Sequence, residues 1–281
     1  MKSAIISLTL SLLTVQLIFS QAKPLAKTID SSHPSVVAIL RVDSSGRAFI
    51  NASGVLINPK VVLTAGHVNF DNIKRGPGGS KIQGFIVTGE NAYNSDNQIT
   101  FNWIKDVESH PDSGYFRISF SDTTGKTKPT MFIDIGLVFL ERPILDIPAA
   151  MLPKPSILYN PDVVRFCSGV GFGYDKIYDS TFVPSKVDGF KRIWMPQKIS
   201  LFNDLWLSVD CDTISNLPYI GAYDSGAPLL TQDNTVVGIW SWTDEAKKPC
   251  PYSSWAVRID NPKVLEWIKD RIKTRLGVEL N

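Results

Sequence analysis

Three short stretches of this chain carry side chains that could work together on an acyl group. Val61-Val62-Leu63-Thr64-Ala65-Gly66-His67 ends an apolar run on an imidazole, and Ile133-Asp134-Ile135-Gly136-Leu137-Val138-Phe139-Leu140 begins one beside a carboxylate. Asp224-Ser225-Gly226-Ala227-Pro228 sets a hydroxyl among small residues, followed by Val237-Gly238-Ile239-Trp240-Ser241-Trp242. Acyl transfer needs a nucleophile, a base to take its proton, and an acid that orients and charges the base; Ser, His and Asp supply those roles. Small residues beside the serine let a substrate carbonyl approach the backbone. Taken singly, these residues read more simply as a packed histidine, a turn cap and a turn serine. Together, in the order His67, Asp134, Ser225 and separated by 67 and 91 residues, they point to chemistry.

Residues so distant meet only if strands gather them. Short β-rich runs fill the first half of the chain: Ser35–Val42, Gly54–Ile57, Val61–Thr64, Lys81–Thr88, Ile99–Val107, Tyr115–Phe120 and Phe132–Leu140. Gly, Asn, Asp and Ser clusters part them, as hairpin loops require. Pro143, Pro148, Pro153, Pro155 and Pro161 follow. Each proline removes a ladder donor, so 143–161 reads as an extended connector. A second β-rich set comprises Val163–Cys167, Lys191–Ser200, Leu205–Val209, Ala227–Leu230, Thr235–Trp242 and Ser254–Ile259. Only the end reads as helix: Asn261 suits an N-cap, Pro262 suits the first helical position, and Val264, Leu265, Ile268 and Ile272 share one face. The expected outline is a β unit at 35–142, the connector, and a second β unit with its helix at 162–281. His67 and Asp134 belong to the first unit and Ser225 to the second, which puts the site in the cleft between them.

Residues 1–22 read as an export signal: Lys2, an apolar run from Ala4 to Phe19, and Ser20-Gln21-Ala22 with small residues where a signal peptidase inspects. Residues 23–34 then form a short N-terminal segment. The apolar run is shorter than the ~20 residues of a spanning helix, so a secreted chain with no stable membrane anchor is expected. The composition, 43% hydrophobic and 20% charged with a net charge of +2, is that of a globular protein, and no basic stripe suggests nucleic acid. Only His33, His67 and His110 could contribute imidazole to a metal, which argues against a zinc site of the usual spacing; neither metal nor cofactor is expected. His33 and His110 read as surface or packing residues. Cys167, Cys211 and Cys250 allow one disulfide and leave one thiol, and their spacing does not fix the pairing. Asn51-Ala52-Ser53 is a glycosylation sequon. Trp240 and Trp242 straddle Ser241, one expected in the core and the other facing the cleft.

With these motifs in view, the chain resembles the trypsin/chymotrypsin-like serine peptidases, from about Ser35 to the terminal helix. Their triad follows the same His…Asp…Ser order. Ala52-Ser53-Gly54-Val55-Leu56-Ile57 and Val61–His67 resemble the family's Cys-Gly-Gly-Ser-Leu-Ile and Thr-Ala-Ala-His-Cys region. His110-Pro111 resembles the pair found upstream of the triad Asp. Cys167-Ser168-Gly169-Val170-Gly171-Phe172-Gly173 resembles the segment opening the second barrel, and Arg258-Ile259 through Trp267-Ile268 the last strand and helix. The resemblance implies an all-β, chymotrypsin-like fold of two antiparallel six-stranded Greek-key barrels with a C-terminal helix. It implies Ser225 as nucleophile, His67 as base and then acid, Asp134 as the group orienting His67, and the backbone N–H groups of Tyr223 and Ser225 as oxyanion hole. Ser241 would bond the buried Asp134, Ser241-Trp242-Thr243 would pair with substrate backbone, and Tyr219 would sit near the floor of the specificity pocket, with Ser253 or Ser254 near its wall. Cys211–Cys250 is the implied disulfide, leaving Cys167 as a thiol. The implied activity is a secreted serine endopeptidase acting on protein or peptide substrates. The alternatives are a catalytically weak homologue serving as a binding or regulatory protein, and an esterase with the same triad.

The chain also departs from the family pattern. Tyr223 stands where the family has Gly, two residues before the nucleophile. Ile29-Asp30-Ser31-Ser32 matches poorly the activation sequence whose freed amine would pair with Asp224. Ala52 and Val68 replace the two half-cystines beside His67. No acidic residue falls at the pocket floor, so a preference for Lys or Arg is not expected.

Overall fold

The computed structural model describes residues 30–42, 48–68, 84–90, 92, 101–113, 132–157, 167–173, 192–194, 199–201, 203–210, 223–245 and 252–280. Strands β1 (Val36–Val42), β2 (Ala48–Asn58), β3 (Val61–Thr64), β4 (Gly84–Val87), β5 (Phe101–Ser109) and β6 (Gly136–Leu140) come from the first half. They close into an antiparallel barrel in the order β1-β2-β3-β6-β5-β4. Every residue of β3, β4 and β6 is buried, so these strands read as unbroken apolar runs and not as alternating ones.

The second half supplies β7 (Ser168–Gly171), β8 (Arg192–Trp194), β9 (Ile199–Leu201), β10 (Trp206–Asp210), β11 (Pro228–Leu230), β12 (Val236–Glu245) and β13 (Tyr252–Arg258). Their order is β8-β7-β11-β12-β13-β10-β9, a seven-stranded antiparallel sheet. Two β units and a closing helix are the expected all-β architecture; among the described residues the run 191–200 is divided into β8 and β9, which lie at opposite edges of the second sheet. The run 115–120 expected as a strand lies outside the described residues. The connector makes a single bridge, Met151 to Thr235, and otherwise holds no strand among the described residues.

Helix α1 (Pro262–Leu276) begins and ends on its own signals. The Asn261 side chain accepts from the N–H groups of Lys263 and Val264, Pro262 occupies the first turn, and Gly277 ends the helix in the left-handed conformation at φ 68°. Val264, Leu265, Ile268 and Ile272 are the buried face. On the helix's outer side, Arg271 pairs with Glu108 (2.6 Å) and Arg275 with Asp106 (3.1 Å), strapping α1 to β5. One apolar cluster runs through both halves, taking in Val55, Leu63, Leu137, Ile239, Val257 and Ile268, while a smaller one gathers Cys167, Leu207, Leu229 and Trp240. The amide nitrogen of Asn51 is buried, which leaves a glycan at that sequon no room on the folded chain.

Just before β1, the buried Asp30 carboxylate accepts from the Ser32 hydroxyl (2.6 Å), the Ser32 N–H (2.9 Å) and His33 Nδ1 (3.0 Å). Burial alone would raise its pKa, but the bonds from His33 and Ser32 and the His33 charge outweigh it and hold the carboxyl at about 2. A depressed folded-state pKa gives stability that is present above the unfolded value of about 4 and lost as pH falls toward 2. Wild type should therefore exceed Asp30→Asn by on the order of 2 kcal/mol at pH 7, with the gap closing between pH 4 and 2. Urea melts of both proteins across that range check this; a gap unchanged down to pH 2 contradicts it.

Candidate active site at the junction of the two halves

β3 and β6 pair antiparallel with Thr64 opposite Gly136, so the residues just after β3 and just before β6 emerge at the same end of the barrel. That register brings together His67, on a helical turn at 66–68, and Asp134. The turn fits closely: a Cβ at Gly66 would lie 2.9 Å from the Ile135 carbonyl oxygen and 3.1 Å from Asp134 Oδ1, so a residue without one is needed there. The loop after β5 braces the same turn. The Ser109 hydroxyl donates to the Gly66 carbonyl (3.0 Å), Ser113 Oγ donates to the His110 carbonyl (2.5 Å), and the His110 ring packs 5.1 Å from that of Trp267. His110 is thus a packing residue, and burial moves its pKa down despite the opposing charge of Asp112.

Asp134 is 2% exposed and accepts three hydrogen bonds: from the His67 N–H to Oδ1 (2.8 Å), from His67 Nδ1 to Oδ2 (2.7 Å), and from the Ser241 hydroxyl to Oδ2 (2.5 Å). Burial would raise its pKa, but the charge of His67 and these three bonds outweigh burial and hold it below the ordinary carboxylate value. An ionised carboxylate only accepts, so Nδ1 carries the proton and Nε2 is the basic nitrogen of the neutral ring. A third of the His67 side chain is exposed, so the ring spans from the buried carboxylate to the surface.

Ser241 reaches Asp134 because β12 is irregular there. Trp240 pairs with Ala256 and Trp242 with Trp255, which leaves Ser241 as the extra residue of a bulge. Strict alternation would put both tryptophans on one face. The bulge divides them: Trp240 is 2% exposed, whereas Trp242 is half-buried and stacks on Trp255 at 5.7 Å.

Ser225 sits in the turn before β11. Its carbonyl accepts from the Ser53 N–H (3.0 Å), Gly226 N–H donates to the Trp240 carbonyl (2.8 Å), and Ala227 N–H donates to the Asp224 carbonyl (2.8 Å). Gly226 has φ 85°, and a Cβ there would run into the Thr64 hydroxyl and the Ser53 carbonyl and come within 3.0 Å of the Ala65 nitrogen. The residue after Ser225 is therefore pressed against the arm that carries His67. No hydrogen bond joins the Ser225 hydroxyl to His67 among the described residues. Asp224 is 1% exposed, with Oδ1 accepting from the Gly173 N–H (2.7 Å), and a Cβ on Gly171 or Gly173 would overlap its carboxylate.

Tyr223 has φ 73°, the left-handed region that favours glycine. Its carbonyl accepts from the hydroxyl of Ser53 (3.1 Å), which in turn accepts from the Phe172 N–H (2.9 Å). Ser53 is wholly buried. Neither its role nor the bulge at Ser241 is evident from the sequence motifs, although Ser53 stands where the quoted family motif has Gly. Thr243 belongs to β12, while Tyr219, Cys211 and Cys250 lie outside the described residues. Cys167 carries a thiol in the smaller apolar cluster, and burial pushes it up to about 12, which makes it a poor nucleophile. Among the described residues no group of three His, Cys, Asp or Glu side chains could hold a metal ion.

Comparison with known proteins gives the following. A Trypsin family model matches residues 27–268. No curated protein matches. Among solved structures, that of GrC is similar at TM-score 0.58 and 16% identity, covering 88% of this chain and 99% of that one. The scabies mite inactivated protease paralogue S-I1 is similar at TM-score 0.55 and 19% identity, covering 90% of this chain and all of that one.

Proposed function

The chain belongs to the trypsin family, and on that premise we propose that it is a secreted serine endopeptidase with His67, Asp134 and Ser225 as its triad. The observation that carries this reading is the array Ser241–Asp134–His67, bonded as a base must be and set on the barrel arm against which Gly226 packs. In the first step the Ser225 hydroxyl oxygen bonds to the scissile carbonyl carbon and its proton passes to His67 Nε2. The carbonyl electrons move to oxygen, where the N–H groups of Tyr223 and Ser225 receive the oxyanion. Collapse expels the amine, which takes the proton from His67; water then attacks the acyl-enzyme by the same route and restores the serine. Asp134 stays ionised throughout and stabilises the imidazolium. The His67–Ser225 hydrogen bond forms with substrate in place, as catalytic bonds often tighten only in the complex. Substrate backbone adds to β12 at Ser241-Trp242-Thr243 as an extra strand. The leader 1–22 directs export.

A second reading, a peptidase fold kept for binding with little hydrolysis, is favoured by a tyrosine at the oxyanion position, a side chain that resists the left-handed φ of 73° found there, and by the fold likeness to the inactivated scabies mite paralogue. Reaction with a biotinylated fluorophosphonate separates the two. The mature protein should be labelled at Ser225, and Ser225→Ala should not be labelled. A mature protein left unlabelled after removal of 1–22 and a cut after Lys27 transfers the case to the binding reading.

A further inference from the structure

Two substitutions against the family motif meet in this structure. Tyr223 and Ser53 each stand where the motif has Gly; they are 170 residues apart in sequence, and the Ser53 hydroxyl donates to the Tyr223 carbonyl at 3.1 Å. Tyrosine resists the φ of 73° that this position requires, so its peptide must be held there by something outside the turn. Ser53 has the connections to do it. Its hydroxyl is fixed by the Phe172 N–H at 2.9 Å, its own N–H holds the Ser225 carbonyl at 3.0 Å, and its carbonyl accepts from Thr64 Oγ1 at 2.8 Å. With Ala227 N–H on the Asp224 carbonyl and Gly173 N–H on the Asp224 carboxylate, all three carbonyls of 223–225 are directed by defined donors.

We propose that Ser53 is a positioning residue for the oxyanion site. Its buried hydroxyl anchors the carbonyl of the 223–224 peptide, which holds Tyr223 in the left-handed conformation and so keeps its N–H, on the preceding peptide, aligned for charge on the acyl oxygen, a lock that glycine at 223 would not need. The proposal rests on the serine-peptidase reading and adds to it a residue that touches no reacting atom.

The test is a cycle of wild type, Ser53→Ala, Tyr223→Gly and the double variant. Each is labelled with a fluorophosphonate to obtain the maximal rate and the half-saturating concentration, and each is melted thermally. Loss of one oxyanion donor costs roughly 10²–10³-fold, and loosening its support should cost part of that. Ser53→Ala should lower the maximal rate about 10–100-fold with the half-saturating concentration held within about 2-fold, and the same change in the Tyr223→Gly background should cost less than about 3-fold. A rate unchanged by Ser53→Ala, or an equal loss in both backgrounds, overturns the lock and leaves the peptidase reading standing. If wild type is never labelled, that reading fails, and the melting temperatures judge the lock: non-additive shifts support it, additive shifts overturn it.

Discussion

Asp134→Asn should lower the maximal rate of acylation of Ser225 about 10³–10⁴-fold while the protein stays folded. The carboxylate has three donors to satisfy with two oxygens: the His67 N–H on Oδ1, and His67 Nδ1 with the Ser241 hydroxyl on Oδ2. An amide has one oxygen. Placed at the Oδ2 position, that oxygen leaves its NH₂ facing the His67 N–H, donor against donor. Placed at the Oδ1 position, it turns NH₂ toward Nδ1, so the imidazole must carry its proton on Nε2 and can no longer act as base. Charge is lost in either case, and with it the support for imidazolium in the transition state. The volume hardly changes, so the melting temperature should move far less than the rate. Labelling kinetics alongside thermal melts check both halves. Rates within 10-fold of wild type would mean that His67 is not the base.

The sequence carried the pairing of His67 with Asp134 because that pairing is local to a strand register. Both residues border short apolar strands, and antiparallel neighbours with Thr64 opposite Gly136 leave their ends only one place to meet. Helix α1 was equally legible, because its cap, its proline and its apolar face all lie within a dozen or so residues. Sequence motifs do not carry contacts made by long-range closure. Ser53 and Tyr223 look unrelated until the turn before β11 packs on β2. Ser241 reaches Asp134 through a bulge, and alternation alone gives no sign of one. The second half illustrates the same limit at larger scale. Its strands were readable as apolar runs, yet their order is set by pairings distant in the chain, and among the described residues the single run 191–200 is split into β8 and β9 at the two edges of the sheet.

The largest effect on stability should come from a pair remote from the chemistry. Arg258 and Asp260, 1% and 0% exposed, form a bidentate pair with Nε to Oδ1 at 3.0 Å and Nη2 to Oδ2 at 2.9 Å. They stand where β13 gives way to α1, and two other segments converge there. Arg258 Nη1 donates to the Asn203 carbonyl (3.3 Å), the Asn261 side chain donates to the Asp204 carbonyl (2.7 Å), and the Ser156 N–H of the connector donates to the Asp260 carbonyl (2.8 Å). Two buried charges are costly to desolvate, and their attraction offsets that cost only while both are present. Asp260→Ala should therefore lose about 3–5 kcal/mol by stranding the guanidinium. That corresponds to a fall of roughly 10 °C in melting temperature for a chain of this size. Arg258→Met combined with Asp260→Leu should recover most of the loss, because it strands no charge. Calorimetric melts of the single and double variants decide the matter, and a double variant at least as unstable as Asp260→Ala would show that the pair holds the junction through its hydrogen bonds rather than through charge neutralisation.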